Sequence, residues 1–356
     1  MKSFRVIGLM SGTSLDGLDV ADVTFSLNDS NQWRFKLNNA VVYPFGDELY
    51  ARLKKAFHLP AHELAELSSV LGVFYADKVM QFLKEFELKD AQIDFIASHG
   101  QTIFHQPDKG FTLQIGNGPE LAIHSNIPTV VDFRTKDVAL GGNGAPLIPV
   151  ADHLLFPDYA DTFLNLGGFS NFSFKQNGKV MSYDICPVNI MANELVREVG
   201  EEYDFGGELG ARGVINHELL CKLNALNFYQ QKGPKSLGWE WVEKQMLPFF
   251  TNEVSLEDRL RTLYEHIAYQ VGTSLNQVNA SATLVTGGGA KNHFLVEKIK
   301  AYSKGEVIVP NMDLIDFKEA IGFAFLGLLR WQNKVNIWSS VTGSKRDSSS
   351  GIVIRP

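Results

Sequence analysis

The feature that most constrains this chain is a recurrence. Four times a strand-like apolar run or loop gives way to a cluster of small residues: Ser11 to Gly17, Gly141 to Ala145, Gly167 to Ser170 and Gly287 to Gly289. Glycine lets a backbone approach a ligand closely and take positive φ. Consecutive N–H groups in such turns form concavities that attract anions. Two of the turns are flanked by strand patterns on both sides, 4–10 with 18–25 and 162–166 with 169–174, and both read as hairpins. The pair hints at an internal duplication, although the sequence identity between them is slight.

Helical patterns alternate with these strands, so the chain reads as α/β. Apolar residues recur at helical spacing within 47–89, through Leu64, Leu67, Leu71, Phe74, Val79, Phe82 and Leu83. Further helices are expected over 188–200, 255–279, 291–302 and 319–331, and short strands at 93–97, 129–131 and 283–286. The Ser-rich stretch Ser339 to Ser350 reads as a mobile tail, after which Ile352-Val353-Ile354 can add a strand. A length of 356 residues favours about two domains. No low-complexity linker marks the boundary; the expected division is 1–131, joined by the C-terminal segment 335–356, and 132–334.

Composition narrows the function classes. Lys and Arg number 33 against 40 Asp and Glu, a net charge of −7, which disfavours broad binding to nucleic acid or to an anionic membrane. Two cysteines exclude a disulfide framework and a four-thiolate zinc site. The apolar run 4–10 is too short for a signal-peptide core, and no run approaches the roughly 18 apolar residues of a membrane span. The reading is a soluble cytoplasmic protein.

The glycine turns are compatible with a phosphate ligand, and equally with simple structural turns. Neither the Walker pattern nor the dinucleotide fingerprint is present in its proper context. Hydroxyls of Ser11, Thr13 and Ser14 add uncharged donors, and Asp16 can hold a hydrated Mg²⁺. Asp184, at a strand end before Pro187 and Asn189, suits a general base, or else an Asx turn or helix cap. Arg134, in Asp132-Phe133-Arg134-Thr135-Lys136-Asp137, can clamp a carboxylate or form a surface ion pair. His99 and Gln101 suit sugar hydroxyls; the spacing of His99 and His105 is not a metal signature. Trp239 and Trp241 can stack on a ligand, but such aromatics more often pack in a core.

In order along the chain, Ile7-Gly8-Leu9-Met10-Ser11-Gly12-Thr13-Ser14-Leu15-Asp16-Gly17 is followed by Ser98-His99-Gly100-Gln101-Thr102, Asp132-Phe133-Arg134, Leu140-Gly141-Gly142-Asn143-Gly144-Ala145-Pro146, Asn165-Leu166-Gly167-Gly168, Tyr183-Asp184, Pro234-Lys235-Ser236, Gly287-Gly288-Gly289-Ala290-Lys291-Asn292 and Glu319-Ala320. This series resembles the anhydro-N-acetylmuramic acid kinases over nearly the whole length. The resemblance implies a two-domain actin/hexokinase-like (ribonuclease H-like) ATPase fold with a central nucleotide and sugar cleft, ATP and Mg²⁺ as cofactors, and a homodimer. It implies phosphate contacts from Ser11, Gly12, Thr13, Ser14, Asp16 and Gly17, with Asp16 reaching Mg²⁺ through water. Gly167 and Gly168 form the implied second phosphate loop, and Gly287, Gly288, Gly289 and Asn292 the adenosine loop. His99, Gln101, Arg134 and Glu319 are the implied sugar contacts, with Arg134 on the lactyl carboxylate.

The implied reaction opens the 1,6-anhydro bridge of an amino sugar with water activated by Asp184 and phosphorylates O6, in peptidoglycan recycling. One departure stands out. The family usually shows Asp-Thr-Gly-Pro-Gly-Asn where this chain has Asp184-Ile185-Cys186-Pro187-Val188-Asn189. A β-branched Val188 disfavours positive φ, so a left-handed backbone at that point is not expected here. The alternatives are a kinase for another sugar, which the changed loop suggests, and a non-catalytic nucleotide-binding member of the fold.

Overall fold

The computed structural model describes every residue except Met1, Lys2, Thr13 and Lys232. The chain forms two compact units, Met1–Phe156 with Phe317–Pro356, and Pro157–Asp316. The boundaries thus follow Phe156 and Asp316, whereas the sequence suggested 131 and 334. Long-range bonds explain the difference. Asp137 is fully buried and accepts hydrogen bonds from the Thr342 hydroxyl (2.8 Å) and the Gly144 N–H (2.8 Å). Phe133 packs on Phe323, and Phe156 on Phe35. These contacts bind 132–156 and 317–334 into the first unit.

The first unit holds β1 (Ser3–Ser11), β2 (Leu18–Leu27), β3 (Trp33–Tyr43), β4 (Phe95–Gln106), β5 (Phe111–Ile115) and β6 (Thr129–Val131). The second holds β7 (Thr162–Leu166), β8 (Phe169–Gln176), β9 (Lys179–Pro187), β10 (Ala282–Thr286) and β11 (Glu306–Ile308), and β12 (Ile352–Ile354) returns to the first. The two sheets share a plan. In the first, β3, β2 and β1 are antiparallel neighbours, and β4 then β6 continue parallel to β1. In the second, β9, β8 and β7 are antiparallel, and β10 then β11 continue parallel to β7. The duplication hinted at by two hairpins is therefore a duplication of whole sheets. β12 pairs antiparallel with β6, as the terminal Ile-Val-Ile run suggested.

Packing follows the apolar periodicity. The helix Ala61–Glu85 buries Leu64, Leu67, Leu71, Tyr75, Val79 and Phe82, one stripe at three- and four-residue steps, against the first sheet. The helix Met312–Trp331 comes so close to β1 that a Cβ on Gly8 would lie 2.1 Å from the Ala320 carbonyl oxygen, so only glycine fits there. In the second unit the helix Leu256–Gln277 buries Leu260, Leu263, Ile267 and Val271. Its first turn is capped by the Ser255 hydroxyl, which accepts from the Asp258 N–H (3.2 Å).

The Ser-rich segment is not the mobile tail expected from its composition. Ser348 and Ser350 are buried. The Asn336 side chain donates to the carbonyls of Leu326 (3.0 Å) and Ser350 (2.8 Å) and accepts from the Ser350 N–H (2.7 Å). A buried asparagine thus supplies the partners that a strand neighbour would otherwise provide.

Candidate active site

In the first unit, the turn between β1 and β2 begins with Ser11 and Gly12. Ser11 is buried, and its hydroxyl donates to the Gln101 Oε1 on β4. Ser11 therefore ties the start of the loop to β4. Ser14 and Asp16 are the exposed polar side chains of the turn, Gly12 is half-buried, and Gly17 enters β2 beside the Tyr43 carbonyl. Thr13 lies outside the described residues. Among the described residues no cluster of three or more His, Cys, Asp or Glu could hold a metal. A single exposed Asp16 fits Mg²⁺, which keeps several waters and takes one or two carboxylates beside substrate phosphates.

The sugar candidates of this unit converge on Arg134. The Arg134 Nε–H donates to His99 Nε2 (2.8 Å), and Nη1 donates to the Gly144 carbonyl (2.6 Å). His99 Nδ1 in turn faces the Gly100 carbonyl (2.9 Å) and takes the proton of the neutral ring. Burial, then the Arg134 charge, holds the His99 imidazole well below its ordinary range, so it stays neutral. Both ring nitrogens are engaged and the residue is buried, so His99 orients Arg134 and has no nitrogen to offer a sugar. Gln101 is likewise buried against Ser11 and Thr102. Both residues expected to touch the sugar thus make hydrogen bonds within the protein, His99 to Arg134 and Gly100, and Gln101 to Ser11 and Thr102. Arg134 is thus fixed through Nε and Nη1. Burial lowers the guanidinium to about 10, opposed by Glu319.

Glu319 is reached by solvent yet crowded by protein on its other sides. That desolvation raises its carboxyl, against the pull of Lys318 and then Arg134. Lys318 itself pairs with the buried Asp152 at 3.1 Å. The cis peptide at Ala145-Pro146 ends the loop whose Gly144 receives Arg134.

In the second unit the glycine turns meet. The carbonyl of Gly168 accepts from the N–H groups of Val188 (2.8 Å) and Ile190 (3.2 Å), and that of Gly167 from Asn189 (3.2 Å). Gly287, at the end of β10, has φ 84°, and a Cβ there would lie 2.4 Å from the Asn165 Oδ1. Gly288 and Gly289 begin the turn that follows, beside Asn189 and Leu166. Asn292 caps the helix His293–Tyr302, its Oδ1 accepting from the Leu295 N–H (2.9 Å). Trp241 packs against Phe228 and Tyr229 and belongs to the core of this unit.

Asp184 lies on β9 at a bulge: Asn171 pairs with Asp184, Ser170 with Cys186, and Ile185 is the extra residue. Its backbone N–H donates to the Lys235 carbonyl (3.0 Å), and its Oδ2 accepts from the Leu237 N–H (2.8 Å). Burial raises its carboxyl to about 6, and the Leu237 N–H limits the rise. Val188, at φ −125°, is not left-handed, so no positive φ demands a glycine at that position. Burial pushes the Cys186 thiol up to about 12, so it stays protonated. The grip of the 235–237 loop on Asp184 was not read from the sequence. Pro234-Lys235-Ser236 stood among the motifs, but nothing in residue type shows that a backbone N–H does the work.

Comparison with known proteins follows this geometry. The sequence model of anhydro-N-acetylmuramic acid kinase matches residues 4–356. Relatives named anhydro-N-acetylmuramic acid kinase include that of Vibrio cholerae, 36% identical with 98% of each chain covered. That of Mannheimia succiniciproducens is 33% identical with 98% of each covered, and that of Pasteurella multocida 34% identical with 98% of this chain and 96% of the relative covered. Among solved structures, a ROK family glucokinase from Streptomyces griseus in complex with glucose and AMPPNP is 11% identical, covering 91% of this chain and 99% of that one, at a TM-score of 0.41. Among the described residues no helix is long and apolar enough to cross a membrane. Matched by the family's model from residue 4 to residue 356, this chain belongs to the anhydro-N-acetylmuramic acid kinase family.

Proposed function

We propose that this protein uses ATP to convert 1,6-anhydro-N-acetylmuramic acid and water into N-acetylmuramic acid 6-phosphate and ADP, with Asp184 as the base. The observation that carries the assignment is Asp184 itself: a bulged, half-buried carboxylate with Oδ2 held by the Leu237 N–H. A carboxyl raised to about 6 is mostly ionised at neutral pH and still basic enough to take a proton. Asp184 accepts the proton of the water that attacks C1. The C1–O6 bond breaks, and O6 forms its new bond to the γ-phosphorus as ADP leaves. Phosphoryl transfer of this kind needs mainly positioning and charge stabilisation.

The glycine turns at 12–17 and 167–168 supply N–H groups for phosphates, and Gly287, Gly288, Gly289 and Asn292 border the nucleoside. Mg²⁺ would be held through water by Asp16 and would neutralise charge on the phosphates. Arg134, set by His99 and Gly144, grips the lactyl carboxylate with its Nη2 end, and Glu319 takes a sugar hydroxyl. A cytoplasmic homodimer fits this family membership; light scattering behind size exclusion would return twice the chain mass.

The test incubates the protein with Mg-ATP and 1,6-anhydro-N-acetylmuramic acid, with Asp184→Asn in parallel. Mass spectrometry is expected to show a product heavier by one phosphate and one water, absent with the variant. If nucleotide binds but no such product forms, the reading fails and other anhydro-sugars are screened.

A further inference from the structure

Ser170 faces Asp184's strand from β8 at the bulge. Its hydroxyl donates to the Cys186 carbonyl (3.0 Å) and accepts from the Cys186 N–H (3.1 Å). Ser170 and Cys186 are both fully buried. In a regular antiparallel ladder, every second pair of opposed residues exchanges backbone bonds. A bulge disrupts this exchange and leaves the inserted residue, here Ile185, unpaired. The Ser170 side chain thus bonds both backbone groups of the residue that closes the bulge.

We infer that Ser170 is a positioning residue for the phosphorylating reaction: its hydroxyl clamps the Cys186 backbone, and this fixes the bulge that aims the Asp184 carboxylate. The inference rests on the reading of Asp184 as the base. The restraints converge on a short segment. On one side Ser170 holds Cys186; on the other, Lys235 and Leu237 hold the backbone and Oδ2 of Asp184. Val188 and Asn189 are then tied to the Gly168 and Gly167 carbonyls. Without the hydroxyl, Cys186 loses its side-chain tie to β8, and the bulge that begins immediately after Asp184 can relax, which loosens the direction set for the side chain at 184. The sulfur is the weaker partner of the clamp, since a thiol is a poor donor and acceptor. Cys186 Sγ lies 3.2 Å from the hydroxyl, but both strong bonds go to backbone groups.

The test compares Ser170→Ala with the isosteric pair Ser170→Thr and Ser170→Val, and with Cys186→Ala, each normalised to nucleotide-binding sites. Misplacing a reacting group by about 1 Å costs on the order of 100-fold. Ser170→Ala is expected to lower kcat about 10- to 100-fold with KM for ATP and sugar unchanged. Thr is expected to exceed Val in kcat by a similar factor, because the two differ only in the hydroxyl, and Cys186→Ala to keep kcat.

Wild-type kcat in Ser170→Ala would overturn the inference. So would a rise in KM at constant kcat, equal rates for Thr and Val, or a loss reproduced by Cys186→Ala. Asp184→Asn separates the two levels of the argument. If that variant turns over normally, the assignment of the base has failed; if it is inactive while Ser170→Ala is normal, only the clamp has failed.

Discussion

Asp184→Asn is expected to abolish turnover and to make the protein more stable at neutral pH. Burial holds the carboxyl near 6 in the fold, against an ordinary 3.8. At about 1.4 kcal/mol per unit, the ionised side chain costs the fold about 3 kcal/mol. An Asn Oδ1 can still accept from the Leu237 N–H, but its amide adds a half-buried donor that costs about 1 kcal/mol. The net gain is about 2 kcal/mol.

The sign follows from linkage. A carboxylate raised in the fold is neutral in both states below its unfolded value, and its penalty grows as pH rises toward the folded value. The advantage of Asn is therefore about 2 kcal/mol at pH 8 and falls to about zero near pH 4.5. For a unit of this size that is an unfolding midpoint raised by about 4–8 °C at pH 8. Calorimetry of both proteins at the two pH values reads it directly. An Asn variant no more stable at pH 8, or an advantage equal at both pH values, would show that burial does not raise this carboxyl.

The same group sets the rate profile: kcat is expected to fall about tenfold per unit below pH 6 as Asp184 protonates, seen in a coupled ADP assay. Arg134→Lys removes the paired donors to His99 and Gly144 and should raise KM for the sugar about 10- to 100-fold with KM for ATP unchanged, measured by initial rates. Gly8→Ala forces a Cβ to 2.1 Å from the Ala320 carbonyl and should cost about 3 kcal/mol or more, visible as a lost soluble fraction or a lowered Tm. Chelating divalent cations should stop turnover while leaving sugar binding by calorimetry intact.

Local features were legible in the sequence, and long-range partners were not. The hairpins, the stripe through Leu64, Leu67 and Leu71, and the glycine turns are written in spacing a few residues long. β3 and the strand character of 179–187 carry mixed patterns, because both lie partly open to solvent. Seryl residues at 339–350 look mobile until Asn336 is placed among them. His99 looks like a ligand donor until Arg134, distant in sequence, occupies its Nε2. Each correction came from a partner outside any local window.

The changed loop after Asp184 shows how such partners absorb a change in residue type. A glycine is required where φ is positive or a neighbour comes too close, and neither condition holds at 186 or 188, where Val188 has φ −125° and both side chains are buried in the core of the second unit. What the loop needs is set by hydrogen bonds to its backbone, from Ser170 and from the Gly167 and Gly168 carbonyls. Those bonds make no demand on the side chains they hold. The turn at Gly167 and Gly168 therefore holds, through its carbonyls, the segment that follows Asp184. Residue type can therefore vary within that segment, whereas the Ser170 hydroxyl is the one side-chain group in this set of bonds, and on the proposed clamp it is the group whose loss the kcat of Ser170→Ala reads.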